Sequence, residues 1–346
     1  MKGLLLTSLN PVKLSVSEIE KPVPGPDEIL IKVKAAAICG TDLHCLQGDS
    51  TVGSSLPVLL GHEYSGIVEQ IGNAVSGFKI GDRVTGETTA YVCGECTLCR
   101  SGWYNLCAER KIIGYASHGA FTSYIVAPKQ FVHHVPDEVS FEEAALTEPV
   151  CVAYHAVIVR SSLSAGQKVV IFGPGPIGLA CTLMARMKGA SEIVVVGIQG
   201  DEDRLKVAGT IGADRITALK GDSAKDWVEA IGLSGHVDTV VDAAGPNRIV
   251  EAAFQLLKPG GEIIKLAWDL SSLAFSISPL VIRAYRIQGV FSHTWPMWEA
   301  VLSMMGSKKI DLEPLITHTF PLSRWQDAFD ILIQKKGIGV ILTPED

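Results

Sequence analysis

The sequence predicts an α/β plus β protein: a β-barrel-like domain built from both ends of the chain, with a parallel-sheet α/β domain inserted between them. Three observations predict it. From Met1 to about Pro149, short apolar runs are broken by glycine and proline, the pattern of a small barrel with frequent turns. From about Leu163 the rhythm becomes strand, glycine turn and helix, which means βαβ units on a parallel sheet. After about His293 the β-rich pattern resumes, so the tail is expected to rejoin the first domain. A length of 346 residues suits two domains at roughly 150 residues each. The segments are set at 1–153, 154–292 and 293–346.

Taken in order, the first domain contains strands at Glu28-Ile-Leu-Ile-Lys-Val-Lys, Gly66-Ile-Val-Glu-Gln-Ile-Gly and Phe121-Thr-Ser-Tyr-Ile-Val, each apolar, β-branched and bounded by turn residues. The second opens with the strand Lys168-Val-Val-Ile-Phe, a glycine turn and a helix from Leu179 to Met187. Further strands are expected at Glu192-Ile-Val-Val-Val-Gly, Val237-Asp-Thr-Val-Val-Asp, Gly261-Glu-Ile-Ile-Lys-Leu-Ala and Arg286-Ile-Gln-Gly-Val. The return segment reads as one helix, a strand at Ile316-Thr-His-Thr-Phe, an amphipathic helix from Ser323 and a final strand at Gly339-Val-Ile-Leu.

Composition narrows the function. Hydrophobic residues at 47% and charged residues at 19% exclude a disordered or coiled-coil chain. Lys+Arg 30 against Asp+Glu 37 gives a net charge of −7 with no basic run, so the expected partner is a small molecule, with no nucleic acid and no membrane. The longest uncharged stretch, between Lys168 and Arg186, is interrupted by glycines and prolines and falls short of the ~20 residues that span a bilayer. The N-terminal Met-Lys-Gly-Leu-Leu-Leu-Thr lacks a signal-peptide core and cleavage site, so a cytoplasmic, reducing location is expected.

In such a compartment eight cysteines point to metal or catalysis rather than disulfides. Cys93, Cys96, Cys99 and Cys107 form C-x2-C-x2-C-x7-C in a lobe spanning about residues 88–110. Four thiolates in one loop close a tetrahedral shell around zinc and leave no open position, the form of a structural site. An iron–sulfur cluster is the alternative, although the spacing differs from ferredoxin patterns. A second constellation is scattered over Cys39-Gly-Thr41-Asp42-Leu-His44, Gly61-His62-Glu63 and Thr147-Glu148-Pro149. Sulfur, imidazole and carboxylate from distant loops make a site with one position open, where zinc acts as a Lewis acid and brings the pKa of a bound oxygen toward ~7. Singly, Cys39 reads as a small buried residue, His62 as a core histidine and Glu148 as a helix-start charge; only together do they argue for catalysis.

Gly173-Pro-Gly175-Pro176-Ile177-Gly178 matches G-x-G-x-x-G between a strand and a helix. There, glycines allow the tight turn and the close approach of a pyrophosphate to backbone N–H groups at a helix N-terminus.

As a set, these motifs resemble the zinc-containing medium-chain alcohol dehydrogenase family, and within it the polyol branch of sorbitol and threonine dehydrogenases. Arg204-Leu-x-x-Ala-x-x-Ile-Gly-Ala-Asp and Ile316-Thr-His-Thr-Phe-Pro-Leu belong to the same set, and the resemblance covers essentially the whole chain. It implies a GroES-like β-barrel catalytic domain with an inserted Rossmann domain, an active-site cleft where the two meet, and two zinc ions per chain. It implies that a hydride passes from a secondary alcohol, of polyol, sugar-alcohol or 3-hydroxy amino acid type, to a nicotinamide. By the same resemblance Cys39, His62 and a glutamate hold the catalytic zinc. Both Glu63 and Glu148 stand as candidates, with Glu63 favoured. Asp42 would orient His62, and Thr41 would pass the substrate proton through the cofactor ribose to His44. Gly173, Gly175, Pro176, Ile177, Gly178, Gln199, Asp201, Arg204, Ala267 and Ser292 are the expected cofactor contacts. A homo-oligomer, dimer or tetramer, is implied, its last Rossmann strands around Arg286 to Val290 pairing across a two-fold axis.

Two departures bear on specificity. Family members using NAD end the second Rossmann strand with an acid, yet the corresponding positions are Gly197 and Gln199, with a two-residue insertion before Arg204. Asp201, Glu202 and Asp203 crowd this loop and favour NAD, while Arg204 leaves NADP open. Sorbitol dehydrogenases resembling the chain carry Arg-Tyr before a Thr-Trp-Pro segment, and here Ser292-His293 stands there. Cys45 and Gln47 are expected to line the pocket; His118 and His155 are taken as structural. The competing function is a zinc-poor nucleotide-binding scaffold or quinone-type reductase, whose mark would be the loss of Cys39, His62 or Glu148; a pure zinc interaction module would need only the cysteine lobe.

Overall fold

The computed structural model describes residues 1–48, 55–221 and 223–345. Its contacts divide the chain into two compact units, Met1–Glu148 with His293–Asp346, and Pro149–Ser292. The first boundary falls inside the helix Thr147–Tyr154, which continues as a π-helix over His155–Arg160.

The first unit is built on a seven-stranded sheet. Its order is Val132–His134, Arg83–Gly86, Glu63–Ile71, Glu28–Ala37, Gly339–Thr343 and Ile316–Pro321, with Tyr124–Pro128 also paired to Glu28–Ala37. The C-terminal strand thus lies in the middle of the sheet, where Ile341 and Leu342 pair antiparallel with Ala37 and Ala36. A second sheet joins Val12–Glu18, Lys2–Leu9 and Val58–Leu59. Leu4, Leu6, Ile29, Ile31, Tyr64, Phe121, Phe329 and Leu342 are among the residues of one continuous core, so both ends of the chain contribute to it. The strand expected at Phe121 begins at Tyr124 instead. Phe121 donates its N–H to Leu60 O and accepts from Leu4 N–H, which ties it to the other sheet.

The second unit is a six-stranded sheet in the order Arg215–Leu219, Glu192–Ile198, Lys168–Phe172, Val237–Asp242, Leu257–Lys265 and Arg286–Gly289, with every neighbouring pair parallel. Numbered by sequence this is 3-2-1-4-5-6, the doubly wound order in which a crevice opens where the order reverses. Glu192–Ile198 and Lys168–Phe172, which have neighbours on both sides in this sheet, read as near-continuous apolar runs because both faces are covered. Arg215–Leu219 itself, a half-exposed edge strand, carries no such run and does not stand out in the sequence.

Candidate catalytic metal centre and cofactor loop

The end of one ladder brings the metal-ligating side chains together. Where Glu28–Ala37 pairs with Glu63–Ile71, the last rung is Ala37 opposite Glu63. Beyond it one chain runs on to Cys39 and the other arrives through His62. Cys39 Sγ, a His62 ring nitrogen and a Glu63 carboxylate oxygen consequently lie within 4.8 Å of one another. Gly61 has φ +91°, and a Cβ there would meet the Phe121 ring at 2.6 Å, so a side chain would block this approach.

Cys39 is the N-cap of the helix Gly40–Leu46, and Asp42 folds back on it from the first turn. Asp42 Oδ2 accepts from the Cys39 N–H at 3.0 Å, while Oδ1 accepts from the Tyr115 hydroxyl at 3.1 Å and faces His62 Nδ1 at 3.8 Å. His62 Nδ1 is buried without a hydrogen-bond partner. Closing that gap would make Nδ1 the donor to Asp42 and leave Nε2 as the ligating atom. Burial pushes the Cys39 thiol up to about 12, with the Asp42 and Glu148 charges adding to it. Burial, then the nearness of Cys39 and Glu148, likewise holds the Glu63 carboxyl well above its usual range. Acids crowded in this way ionise together only around a compensating cation, and thiolate, imidazole and carboxylate are ligands zinc accepts. The residues present fit the metal.

Thr41 Oγ1 stands 3.5 Å from Cys39 Sγ, and His44 is exposed further along the same helix. Cys45 belongs to the hydrophobic core rather than to a pocket wall, and Gln47 is exposed. His118 Nδ1 accepts from the Leu59 N–H at 3.2 Å.

Glu148 has a partner of its own: Oε1 receives His293 Nε2 at 3.1 Å. Burial works to raise the Glu148 carboxyl, but the His293 hydrogen bond and the neighbouring basic groups outweigh it and hold the group below its usual range. Trp298 Nε1 donates to His293 Nδ1 at 2.8 Å. Next to it runs a second buried chain, in which the Tyr104 hydroxyl donates to Glu87 Oε1 at 2.7 Å. His133 sits between Glu87 Oε1 at 3.3 Å and Glu299 Oε1 at 2.7 Å. Sequence reasoning singled out Ser292-His293 only as a departure and missed Glu87, His133 and Trp298. The Glu148–His293 contact joins residues 145 apart, which no local pattern reports.

In the cysteine lobe the four Sγ atoms lie within 4.8 Å of one another, with Cys93 to Cys99 at 3.8 Å and Cys107 to Cys93 at 3.6 Å. A tetrahedron with zinc–sulfur bonds of ~2.3 Å has edges of about 3.8 Å, so these thiols also fit zinc. The Cys96 N–H, 3.4 Å from Cys93 Sγ, is the foremost of the backbone donors that bring that thiol down to about 7.

At the cofactor loop Gly173 has φ +98°, Gly175 is the N-cap of the helix Pro176–Met187, and a Cβ on Gly178 would stand 1.8 Å from Gly173 O. Pro176 opens the helix at its first position and Ile177 follows it, leaving the loop N–H groups at a positive helix end. The insertion after Gly197 turns Asp201 back toward the strand: its Oδ2 accepts from the Ile198 N–H at 3.0 Å, and Arg204 Nη1 lies 3.8 Å from Oδ1. Gln199 is exposed in the turn. Ala267 donates its N–H to Asp242 O, and Ser292, with φ +56°, accepts at its carbonyl from His155 Nδ1 at 2.8 Å.

Residues 25–137 match the Alcohol dehydrogenase GroES-like domain family and residues 176–307 the Zinc-binding dehydrogenase family. The chain is 34% identical over 347 residues to a sorbitol dehydrogenase of Halalkalibacterium halodurans, with 100% of each covered. It is 35% identical over 350 residues to a D-arabitol-phosphate dehydrogenase of Enterococcus avium, covering 100% of this chain and 99% of that one. A Sinorhizobium meliloti structure described as a zinc-binding dehydrogenase bound to NADP matches with a TM-score of 0.88 at 29% identity, over 99% of each chain. No helix among the described residues is long and apolar enough to cross a membrane.

Proposed function

Because the chain belongs to the zinc-containing medium-chain alcohol dehydrogenase family, and is a zinc-dependent, NAD(P)-dependent oxidoreductase of alcohols, we propose that it oxidises a secondary alcohol of the polyol, sugar-alcohol or 3-hydroxy amino acid type with NAD. The observation that carries this reading is the Cys39, His62 and Glu63 triad, whose three ligand atoms leave a fourth position for the alcohol. Bound there, zinc would supply Lewis-acid polarisation of the hydroxyl, and a nicotinamide on the glycine loop would supply the hydride acceptor. Asp42 holds Cys39 through its N–H and faces His62, so one buried carboxylate orients two ligands. The Thr41 hydroxyl, beside Cys39 Sγ, takes the proton that the alcohol loses, and exposed His44 is where it leaves for solvent.

The finer assignments follow from particular residues. One zinc per cluster makes two per chain. NAD is favoured because Asp201 returns a carboxylate to the strand end and already engages Arg204, the side chain that would pair with a 2′-phosphate. Eight cysteines with no disulfide among them suit a reducing cytosol. A dimer through the edge strand Arg286–Gly289 is supported by the exposed apolar side chains Val281 and Ile282, a few residues before it in the chain. The scaffold alternative has no support, since both ligand clusters are whole. The deciding assay is nicotinamide reduction with a panel of polyols, sugar phosphates, threonine and simple secondary alcohols, using each cofactor. Cys39→Ser should lose one of two zinc ions and essentially all turnover; full activity in that variant, shown to be free of the catalytic zinc, overturns the assignment.

A further inference from the structure

The hydrogen bonds around His293 fix which of its nitrogens carries the proton. An indole N–H can only donate. Trp298 Nε1 lies 2.8 Å from His293 Nδ1, so Nδ1 is the acceptor and the ring proton is on Nε2. That nitrogen is 3.1 Å from Glu148 Oε1, to which it donates. The ring has no freedom to turn. It is fully buried, with the Trp298 ring edge-on at 5.1 Å, and Trp298 is itself stacked on His133 at 5.2 Å. His133 in turn is pinned between Glu87 and Glu299.

Glu148 is the carboxylate that stands outside the group formed by Cys39, His62 and Glu63. Resting on the assignment of zinc to that group, we propose that His293 is a positioning residue: with its proton fixed on Nε2, it anchors Glu148 through Oε1 and keeps that carboxylate beside the metal but out of its coordination shell. Glu63 is then the carboxylate ligand, and the fourth position stays open to the alcohol. Released from His293, Glu148 would be a free anion close to a divalent cation and would compete with substrate for that position.

Cobalt(II) exchanged into the catalytic site of the intact enzyme reads this directly, since its visible bands are strong in a four-coordinate site and weaken as coordination rises. His293→Phe keeps a ring for Trp298 to pack on but loses both nitrogens. It should show weaker visible absorption per cobalt, a raised KM for the alcohol, and a fall in kcat/KM of about 10-fold to 100-fold. His293→Gln, which keeps one donor and one acceptor, should recover most of the parent spectrum, whereas a space-filling role predicts that Phe is the milder change. Parent absorption and parent kcat/KM in His293→Phe overturn the proposal. Should that variant not fold, Trp298→Phe carries the same two readouts, and parent values there overturn it instead. Failure of the underlying metal assignment looks different: Cys39→Ser would bind as much cobalt as the parent.

Discussion

His133 is a residue whose ionisation should be visible in solution. Burial opposes its charge, but hydrogen bonds with Glu299 and Glu87 outweigh burial and raise its pKa. The Glu299 carboxyl is lowered, first of all by the same bond. A histidine raised in the folded state stabilises it wherever the ring is protonated. That contribution is full below the unfolded value of about 6.5 and is lost as pH rises through the raised folded value. The urea midpoint of the parent should therefore exceed that of His133→Gln by a margin that is widest in mild acid and shrinks above neutrality; a pH-independent margin refutes the charged pair. At this scale the sequence was legible where chemistry resides in residue type and spacing. Cys93 to Cys107 stand out because few other roles put four thiols in one loop at that spacing, whereas Cys39 and His62 argue for a metal only in combination, and the preference for Glu63 over Glu148 comes from the family resemblance. His293 does not, since its meaning depends on Glu148 and Trp298, and only the fold makes all three neighbours.

Among elements, the glycine loop joins sequence to function most closely. A methyl group on Gly178 would stand 1.8 Å from Gly173 O, so strand and helix must part to admit it. Gly178→Ala should lose about 1–3 kcal/mol of stability and weaken nicotinamide binding more than it changes zinc content. Cofactor fluorescence titration beside metal analysis checks this, and parent affinity for NADH would show that the loop tolerates the change. The buried parallel strands were legible because they are near-continuous apolar runs, as in Lys168–Phe172 and Glu192–Ile198. Arg215–Leu219 was not, because an edge strand with exposed residues has no such run. The loop after Gly197 shows another limit. Counting along the sequence finds no acid at the strand end, but the chain turns and Asp201 reaches the Ile198 N–H from four residues beyond Gly197.

For the whole molecule, association is the property most open to measurement. Val281 and Ile282, 85% and 77% exposed, stand a few residues before the edge strand Arg286–Gly289. Val281→Lys should convert the proposed dimer to monomers in sedimentation velocity without lowering zinc content, and a sedimentation coefficient equal to the parent's refutes pairing through this face. The nested arrangement of the two units was legible because the β-rich pattern stops and resumes. The pairing of Glu28–Ala37 with Gly339–Thr343 was not, since antiparallel partners so far apart in the chain leave no local mark. That pairing has a consequence for synthesis on the ribosome. The parallel-sheet unit is complete once Ser292 has emerged, whereas Ala36 and Ala37 wait for Leu342 and Ile341, which follow it in the chain. Until then the Ala36–Ala37 end of that strand is an open edge able to pair with another chain, and the core lacks Phe329, Val340 and Leu342. The parallel-sheet half can thus fold from one continuous stretch of chain, while the barrel half gains its full sheet only after that stretch has been made.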